Sequence, residues 1–386
     1  MECRFTHVAF EGIAAVVPSD FIVIDDELRF FQDDPKKLAR AKKIIGFGKR
    51  HVVGSGVTAV DLCEEAARIL MRDMGVDPAS VDALVLVNQS PDHVHPSGSC
   101  ILHGRLGLPK GCATLDIGLG CSGYVYGLWL AHSLIASGAA RRVLLLAGDT
   151  PSLHSDPRNR LTSPLFGDAG TATLLGRTEA ENPAWFVLGS DGTGWNHIAI
   201  PGGGFRLPVD EAMLRTVYTD AAGNPWRMNE SLLNGMAVFD FTLHEVPPSI
   251  LRVMECAGVT REQVDFFALH QANKQIVQAV GAALGLDEEN VYWQTFTRYG
   301  NQSTASVACT LCDALAYEMP QRDMRLLLSG FGVGLSWANA VLACSRAYNS
   351  GVRLFAPSPA RTGMPDRQGR EEQIAFWKHQ FCGDKE

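Results

Sequence analysis

The feature that most constrains the fold is an internal repeat relating the two halves of this 386-residue chain. Residues 81–88 (VDALVLVN) resemble residues 264–271 (VDFFALHQ), which lie 183 positions later, and each segment follows a stretch with helical spacing of apolar residues. Three leucines at 144–146 recur at 326–328, a shift of 182. Because order and spacing both match, the repeat predicts two similar α/β halves instead of a chance likeness between buried strands.

The order of strands and helices predicts the domain organisation. Strands alternate with helical stretches of about 10–15 residues, which predicts parallel sheets with helices on both faces. A polar, turn-rich segment near 176–186 separates an N-terminal half, residues 1–180, from a C-terminal half, residues 181–348. Residues 349–386 are polar and contain three prolines, so we predict a poorly ordered tail with a short helix at 371–381.

Composition excludes several function classes. A net charge of −8 gives no basic surface for nucleic acid. No apolar run reaches the roughly 18 residues of a membrane span, and the start of the chain does not resemble a signal peptide. The ten cysteines lack metal-ligand spacing, and Cys309 and Cys312, the closest pair, fall in an apolar helical run typical of a core. These observations predict a cytoplasmic enzyme with reduced thiols, no metal, and no nucleic-acid or membrane partner.

A cysteine in a glycine-rich turn is the strongest candidate for chemistry. Cys121 lies in Gly-Leu-Gly-Cys-Ser-Gly (118–123), between a short apolar strand at 113–117 and a helical run at 124–135. The positive end of the helix dipole favours a thiolate there, and glycines allow a substrate to approach closely. We therefore expect Cys121 to have a lowered pKa and to be the most reactive of the ten thiols. The alternative is a buried structural cysteine.

The second half carries three features that fit the same chemistry. His270 ends a buried strand, where open α/β sheets place functional groups, although a lone histidine is more often a structural residue. Asn301 lies in a turn where the first half has its cysteine, although asparagine also caps helices. The glycine-rich loop at 329–334 can aim backbone N–H groups at an oxyanion. Pseudo-symmetry predicts that Cys121 and Asn301 approach a common axis.

Residues 201–230 include Pro-Gly-Gly-Gly and show little periodicity. We interpret them as an irregular excursion that caps a pocket, with a plain surface loop as the alternative.

Five motifs in matching order resemble the ketoacyl-acyl-carrier-protein synthase III family of the thiolase superfamily. They are Gly-Cys-Ser-Gly, Phe-Gly-Asp-Ala-Gly, His-Gln-Ala-Asn, Gly-Asn-x-Ser and Gly-Phe-Gly-x-Gly, and the resemblance runs from about residue 8 to residue 345. The chain does not resemble degradative thiolases, which carry a second cysteine in the C-terminal glycine loop. Plant-type polyketide synthases, whose histidine motif differs, are a runner-up.

The resemblance implies a fold and a set of site residues. It implies an α/β, five-layered αβαβα fold built from two pseudo-symmetric halves, and a homodimer. It also implies a catalytic triad of Cys121, His270 and Asn301, with an oxyanion hole formed by the backbone N–H groups of Cys121 and Val333. It implies no cofactor, because the thioesters of coenzyme A or phosphopantetheine are substrates.

The implied reaction is a decarboxylative Claisen condensation. Cys121 would take the acyl group from an acyl-CoA or acyl-carrier-protein thioester, and a malonyl thioester would then lose carbon dioxide and attack the acyl-enzyme. His270 and Asn301 would donate hydrogen bonds to the enolate oxygen. One alternative is a non-condensing acyltransferase that moves the acyl group to an oxygen or nitrogen nucleophile. Another is an inactive structural subunit of a heterodimer. The intact histidine–asparagine pair favours condensation.

Departures from the family pattern fall at substrate-recognition positions. Three positions are carried over by resemblance: Arg160 for coenzyme A, Asn273 for pantetheine, and His95, where the family commonly has the phenylalanine that reaches the partner's acyl pocket. Residues 33–40 lack the family's tryptophan, and Asp240 and Gln275 stand where basic docking residues are expected. The pattern indicates a specialised member, and the sequence leaves acyl chain length, the donor's carrier and the pathway open.

Overall fold

The computed structural model describes residues 1–221, 223–355 and 370–382. Its strands, in chain order, are β1 (Glu2–Phe5), β2 (Val8–Val17), β3 (Phe21–Val23), β4 (Lys49–His51), β5 (Ala83–Val87), β6 (Ala113–Ile117), β7 (Arg142–Asp149), β8 (Ala169–Arg177), β9 (Ala184–Ser190), β10 (Ile198–Ala199), β11 (Tyr218–Thr219), β12 (Pro225–Trp226), β13 (Leu232–Leu233), β14 (Phe266–Leu269), β15 (Asp323–Gly332), β16 (Ser336–Ser345) and β17 (Tyr348–Leu354). Its helices are α1 (Pro35–Ile45), α2 (Ala59–Met74), α3 (Gly98–Leu106), α4 (Gly123–Ala136), α5 (Glu211–Arg215), α6 (Gly235–Ala257), α7 (Lys274–Ala283), α8 (Gln294–Tyr299), α9 (Ser306–Leu315) and α10 (Arg370–Cys382).

Two large sheets reproduce the internal repeat. The first has the strand order β17-β2-β8-β7-β5-β6, and the second has the order β1-β9-β16-β15-β14. Ala83 pairs with Val143 in the first sheet and Phe266 pairs with Leu326 in the second, so equivalent pairs lie 183 residues apart. The first and last strands are exchanged: β1 joins the sheet of the C-terminal half, and β17 joins that of the N-terminal half. The two halves are therefore pseudo-symmetric and interlocked.

The prediction of parallel sheets was only partly right, because both large sheets are mixed. β5 pairs in parallel with β6 and β7, and β14 with β15. By contrast, β8 runs antiparallel to both β7 and β2. A parallel neighbour requires a long crossover connection, usually a helix. The segment between β7 and β8 contains no α-helix, so the chain returns in the opposite direction.

The prediction placed the start of the C-terminal tail, at residue 349, too early in the chain. Residues 348–354 form β17, which pairs in parallel with β2 and places Tyr348 opposite Gly12. The strand is anchored by the buried Asn349 side chain, whose Nδ2 donates to the Leu311 carbonyl at 2.9 Å. Its polar sequence lacks the apolar run that is typical of a buried strand. The short helix predicted at 371–381 is present as α10, and the rest of the predicted tail, 356–369 and 383–386, lies outside the described residues.

Three apolar cores join five layers, as predicted. α2 and α3 cover the outer face of the first sheet, and α6 and α7 cover the outer face of the second. Between the sheets lie α4 and α9, whose buried residues form the largest core and include the neighbours Cys309 and Cys312. The two central helices begin side by side, because a Cβ atom on Gly123 would lie 3.7 Å from Thr304 Cγ2. This meeting of helix N-termini positions the candidate site.

Across the described ranges, no helix combines the length and the apolar character needed to span a bilayer.

We predict that Gly170→Ala destabilises the protein by about 1–3 kcal/mol through overpacking. A Cβ atom on Gly170 would lie 2.3 Å from backbone atoms of Leu62 and Cys63, so α2 would have to move away from β8. The matched control is Gly104→Ala in α3, where a Cβ atom would meet nothing within 4 Å. That change should stabilise the protein by about 0.5–1 kcal/mol. Urea unfolding measures both, and equal stability of the two variants would contradict the close packing.

Candidate active site

The turn that carries Cys121 is held tightly between β6 and α4. Gly123 N–H donates to the Gly120 carbonyl at 2.7 Å, which closes the turn just before the helix. A Cβ atom on Gly123 would lie 2.5 Å from Val87 Cγ1, so only glycine lets the start of α4 lie against β5. The Cys121 side chain is buried as a result, with 9% of the residue surface exposed.

The end of β15 packs directly onto this turn. A Cβ atom on Gly332 would lie 2.7 Å from Cys121 Sγ, and the φ angle of Gly332, +150°, is one that side chains disfavour. The next residue, Val333, is held by Ser336, whose Oγ donates to the Val333 carbonyl at 2.7 Å. Ser336 Oγ in turn lies 2.7 Å from Ser122 Oγ, beside the cysteine. The backbone N–H groups of Val333 and Cys121 both reach the sulfur. The Cys121 sulfur therefore lies beside two backbone donors.

His270 follows β14 and is 1% exposed. Its backbone N–H donates to the Ser329 carbonyl at 2.8 Å, and its ring meets Phe331 edge-on with centroids 5.5 Å apart. The Nδ1 atom is buried and has no hydrogen-bond partner among the described residues. Packing thus holds the ring, and a second backbone hydrogen bond, from Ala272 N–H to the His270 carbonyl at 3.0 Å, helps fix the main chain.

Asn301 is fixed from both sides of its turn. Its backbone N–H donates to the Leu165 carbonyl at 2.8 Å, and its carbonyl accepts from Gly167 N–H at 3.1 Å. The side-chain Oδ1 accepts from Ser303 N–H at 3.0 Å. With Oδ1 engaged, the amide nitrogen is the group that can donate to a ligand.

One cavity of about 290 Å³ brings the predicted site residues together. Cys121, His270 and Asn301 line it, as do Val333 and Asn273. The apolar part of the wall is formed by side chains from both halves: Leu165 and Phe166 from the N-terminal half, and Ile198, Ile200, Leu233, Val238, Ile276 and Phe331 from the C-terminal half. The cavity combines a thiol and neutral donors with an apolar wall, which suits an acyl thioester.

The electrostatics of the thiol differ from the expectation. Burial raises the pKa of Cys121 to about 11, and the negative charge of Asp149 raises it further. Backbone N–H groups and the Ser303 hydroxyl act in the opposite direction but do not outweigh burial. The prediction of a lowered pKa was therefore wrong for the free protein, because desolvation exceeds the effect of the helix N-terminus.

The electrostatics of the imidazole also follow from burial, which lowers the pKa of His270 to about 3. His270 is therefore neutral at physiological pH, so thiol and imidazole do not form an ion pair.

The cavity includes only one of the three predicted substrate-binding residues. Asn273 lines it and caps α7, its Oδ1 accepting from Ile276 N–H at 2.9 Å. Arg160 is half-buried and His95 is exposed, and neither is part of the lining. The described residues of the 201–230 excursion do not line the cavity either. The wall is formed by flanking residues, including Ile200 and Ser231, so the excursion does not cap the pocket by itself.

Sequence reasoning missed Asp149 and Ser303, which also line the cavity. Asp149 is the last residue of β7, so the strand-end argument that selected His270 applies to it equally. Ser303 is the serine of the Gly-Asn-x-Ser motif, but the motif did not indicate a role for it, because that role depends on a left-handed backbone conformation with φ +49°.

Comparisons with known proteins agree with the motifs. A family model described as 3-oxoacyl-[acyl-carrier-protein (ACP)] synthase III matches residues 115–192, and the model of its C-terminal part matches 254–344. The chain is 32% identical over 306 residues to a β-ketoacyl-[acyl-carrier-protein] synthase III of Caldanaerobacter subterraneus, covering 78% of this chain and 88% of that protein.

Two solved structures extend the likeness. A 3-oxoacyl-(acyl-carrier protein) synthase from Burkholderia xenovorans is similar with a TM-score of 0.84 at 35% identity, covering 92% of this chain and 99% of that one. A 3-oxoacyl-(acyl-carrier-protein) synthase III gives a TM-score of 0.82 at 36% identity, covering 87% and 99%.

We predict that Cys100, not Cys121, is alkylated first by iodoacetamide at neutral pH. Cys100 is exposed, and hydrogen bonds with Ser97 and Thr114 lower its pKa. In a Cys100→Ser background, alkylation of Cys121 should rise about tenfold per pH unit as pH approaches 11, because the thiolate is the nucleophile. Peptide mapping after short pulses measures this, with buried Cys309 as the inert reference. Faster labelling of Cys121 than of Cys100 at pH 7 would show a low thiol pKa instead.

Proposed function

The chain belongs to the 3-oxoacyl-[acyl-carrier-protein] synthase III family of condensing enzymes, and from this we propose that it joins an acyl group carried on Cys121 to a malonyl thioester with loss of carbon dioxide. The product is a 3-oxoacyl thioester. One observation carries the proposal: a single cavity is lined by a nucleophilic thiol, two neutral side-chain donors and two backbone N–H groups. The thiol, the pair of side-chain donors and the pair of backbone donors each have a separate role in the proposed reaction.

In the first half-reaction the Cys121 sulfur attacks the carbonyl carbon of the acyl thioester. Negative charge develops on the carbonyl oxygen, close to the backbone N–H groups of Cys121 and Val333. These donors are fixed before the reaction by helix α4 and by the Ser336 hydrogen bond, so they need little reorganisation. Collapse of the intermediate releases the thiol of the donor and leaves the acyl group on Cys121.

In the second half-reaction the malonyl thioester loses carbon dioxide, and its carbonyl oxygen takes up enolate charge. His270 and Asn301 donate hydrogen bonds to that oxygen. Because burial holds the His270 pKa near 3, the imidazole is neutral. Because Nδ1 has no hydrogen-bond partner in the described part of the chain, the imidazole can carry its single proton on Nε2. The enolate carbon then attacks the acyl-Cys121 carbonyl, so decarboxylation replaces a strong general base.

The proposed substrates are acyl-CoA or acyl-carrier-protein thioesters and a malonyl thioester, with no cofactor and no metal. Asn273, beside the nucleophile, is proposed to contact the pantetheine arm, and Arg160 the coenzyme A moiety. We propose a cytoplasmic homodimer. Its support here is β6, an apolar strand at the edge of the first sheet, since such edges are normally covered.

We predict that mutation separates the two half-reactions. Cys121→Ala should abolish the acyl-enzyme and retain some malonyl decarboxylation, since that step needs only the two donors. His270→Ala and Asn301→Ala should each lower decarboxylation about 10²–10³-fold and still form acyl-Cys121, as expected when one oxyanion donor is lost. Carbon dioxide release and intact-mass detection of the acyl adduct measure the two steps. Because His270 titrates near pH 3, decarboxylation should show no histidine inflection between about pH 5 and 8.

The same assay distinguishes the alternatives. Condensation at the wild-type rate by His270→Ala and Asn301→Ala would contradict the mechanism. Discharge of the acyl adduct to an alcohol or amine, without malonyl thioester, would identify a non-condensing acyltransferase. Absence of an adduct with any donor would indicate an inactive subunit.

We predict that His95→Phe changes the preferred acyl chain without preventing acylation. His95 is exposed and lies outside its own chain's cavity, so its effect should arise across the dimer. His93→Phe is the matched control, because His93 packs against Trp377 of α10, with ring centroids 6.0 Å apart.

Mixed dimers with a Cys121→Ala subunit test the cross-subunit position. When the other subunit carries His95→Phe, the one nucleophile faces a wild-type His95 and the donor profile should be wild-type. When both substitutions lie in one subunit, the profile should shift. An unchanged profile in every variant would remove His95 from the acyl pocket.

A further inference from the structure

Asp149 is a buried carboxylate beside the nucleophile that the proposed condensation leaves without a role. It ends β7, is 2% exposed and lines the same cavity as Cys121. Its Oδ1 accepts from Gln89 N–H and from the Ser90 hydroxyl, both at 2.7 Å, and its Oδ2 accepts from Thr304 N–H at 3.4 Å. Donors from both halves of the chain therefore fix this carboxylate.

Ser303 lines the cavity together with this carboxylate and the thiol. Its hydroxyl lowers the pKa of both Cys121 and Asp149 by hydrogen bonding to their charged forms. Its backbone N–H donates to Asn301 Oδ1 at 3.0 Å, and its φ angle of +49° is unusual for a residue with a side chain. Strain of this kind persists where surrounding structure enforces it, often at functional sites. Here the strained backbone directs a hydroxyl into the cavity.

We propose that Asp149 accepts the proton of the Cys121 thiol through the hydroxyl of Ser303 during acyl transfer. This inference rests on the proposed function, because it concerns the acylation of the same cysteine. In this proposal Ser303 relays the proton of the reacting thiol, and Asp149 acts through it.

The step balances without any other reactant. As the Cys121 S–H bond breaks, its proton passes to Ser303 Oγ and the hydroxyl proton of Ser303 passes to the Asp149 carboxylate. The sulfur electron pair forms the bond to the thioester carbonyl carbon, and the carbonyl π electrons move to oxygen. On collapse the carbonyl re-forms, the bond to the departing sulfur breaks, and that sulfur takes the proton back by the same route. Ser303 and Asp149 end as they began.

The surroundings favour Asp149 over His270 as the acceptor. Burial holds the thiol pKa near 11, so the proton must be removed, and the His270 pKa near 3 makes the imidazole a poor base. Burial raises the pKa of Asp149, which increases its affinity for a proton. Other titratable groups also face it: Cys63 from α2, His154 after β7, Asp168 before β8, and Cys121 itself.

Asp149→Asn tests the proposal, because it keeps the shape of the side chain and removes the base. Acyl-Cys121 formation from an acyl-CoA, followed by intact mass without malonyl thioester, should fall roughly 10²–10⁴-fold at neutral pH, the usual contribution of general base catalysis. In the wild type the rate should rise as pH passes through the raised pKa of Asp149 and then level. In the variant it should rise tenfold per pH unit toward the thiol pKa, so the deficit narrows at high pH.

The rate of Cys121 alkylation distinguishes loss of the base from structural damage to the site. Near pH 11 the thiolate forms without a base, and the charge of Asp149 raises the thiol pKa, so Asp149→Asn should alkylate Cys121 at that pH at least as fast as the wild type. A purely structural role would slow alkylation and acylation together. Ser303→Ala should reproduce the acylation defect, and the double variant should show little further loss, because the two residues act as one unit.

The matched control is Asp168→Asn. Asp168 is equally buried and accepts from Ser152 and from Val53 N–H, but it does not line the cavity. Its acylation pH profile should keep the wild-type shape. A wild-type rate and pH profile in Asp149→Asn would overturn the proposal. Acyl-enzyme that forms normally but never condenses would overturn the proposed function and leave this inference standing, whereas a wild-type protein that takes no acyl group would overturn both.

Discussion

The structure depends on the direct contact between the backbone of β15 and the turn that carries Cys121. Gly330 and Gly332 have no side chains to separate the two, and a Cβ atom on either would lie within 2.8 Å of the Cys121 residue. This contact sets the position of the sulfur and aligns the N–H of Val333 with it. It also joins the two halves at the base of the cavity, because β15 belongs to one half and the cysteine turn to the other. The same packing that completes the core therefore assembles the donors.

Close packing also determines the charge state of the site. Burial disfavours the charged forms of the thiol and the imidazole, so Cys121 is protonated and His270 is neutral at pH 7. A neutral imidazole suits enolate stabilisation, which requires a donor that does not transfer its proton. A protonated thiol, by contrast, must lose its proton before it can attack, and Asp149 is a buried carboxylate that lines the same cavity, as does Ser303. In the proposed reaction, burial therefore favours the second half-reaction, whereas the first half-reaction requires removal of the thiol proton.

Much of the fold and the location of the site could be predicted from the sequence, since both follow from local patterns. The 183-residue repeat gave the two halves, and glycine spacing and strand ends selected Cys121, His270 and Asn301 for one cavity. What was missed depends on tertiary contacts. The polar strand β17 is stabilised by its pairing with β2. The antiparallel direction of β8 follows from the absence of a helix in the segment that connects it to β7. The pKa of Cys121 followed from burial, which a helix-dipole argument ignores.

The repeat also explains how a symmetric scaffold holds an asymmetric site. Positions 183 residues apart are structurally equivalent, as the paired strands show. At each of three such pairs only one member carries the reactive group: His270 corresponds to Val87, Cys121 to Thr304, and Asp149 to Gly332. The equivalent residues, Val87, Thr304 and Gly332, are small or apolar, and Thr304 and Gly332 lie next to reactive groups. Gly332 lies against the sulfur, and Thr304 offers only its backbone N–H to Asp149. The repeat therefore provides each strand end and helix end twice. Because one copy of each pair carries the reactive side chain and the other carries a smaller or apolar residue, the two halves together form one cavity.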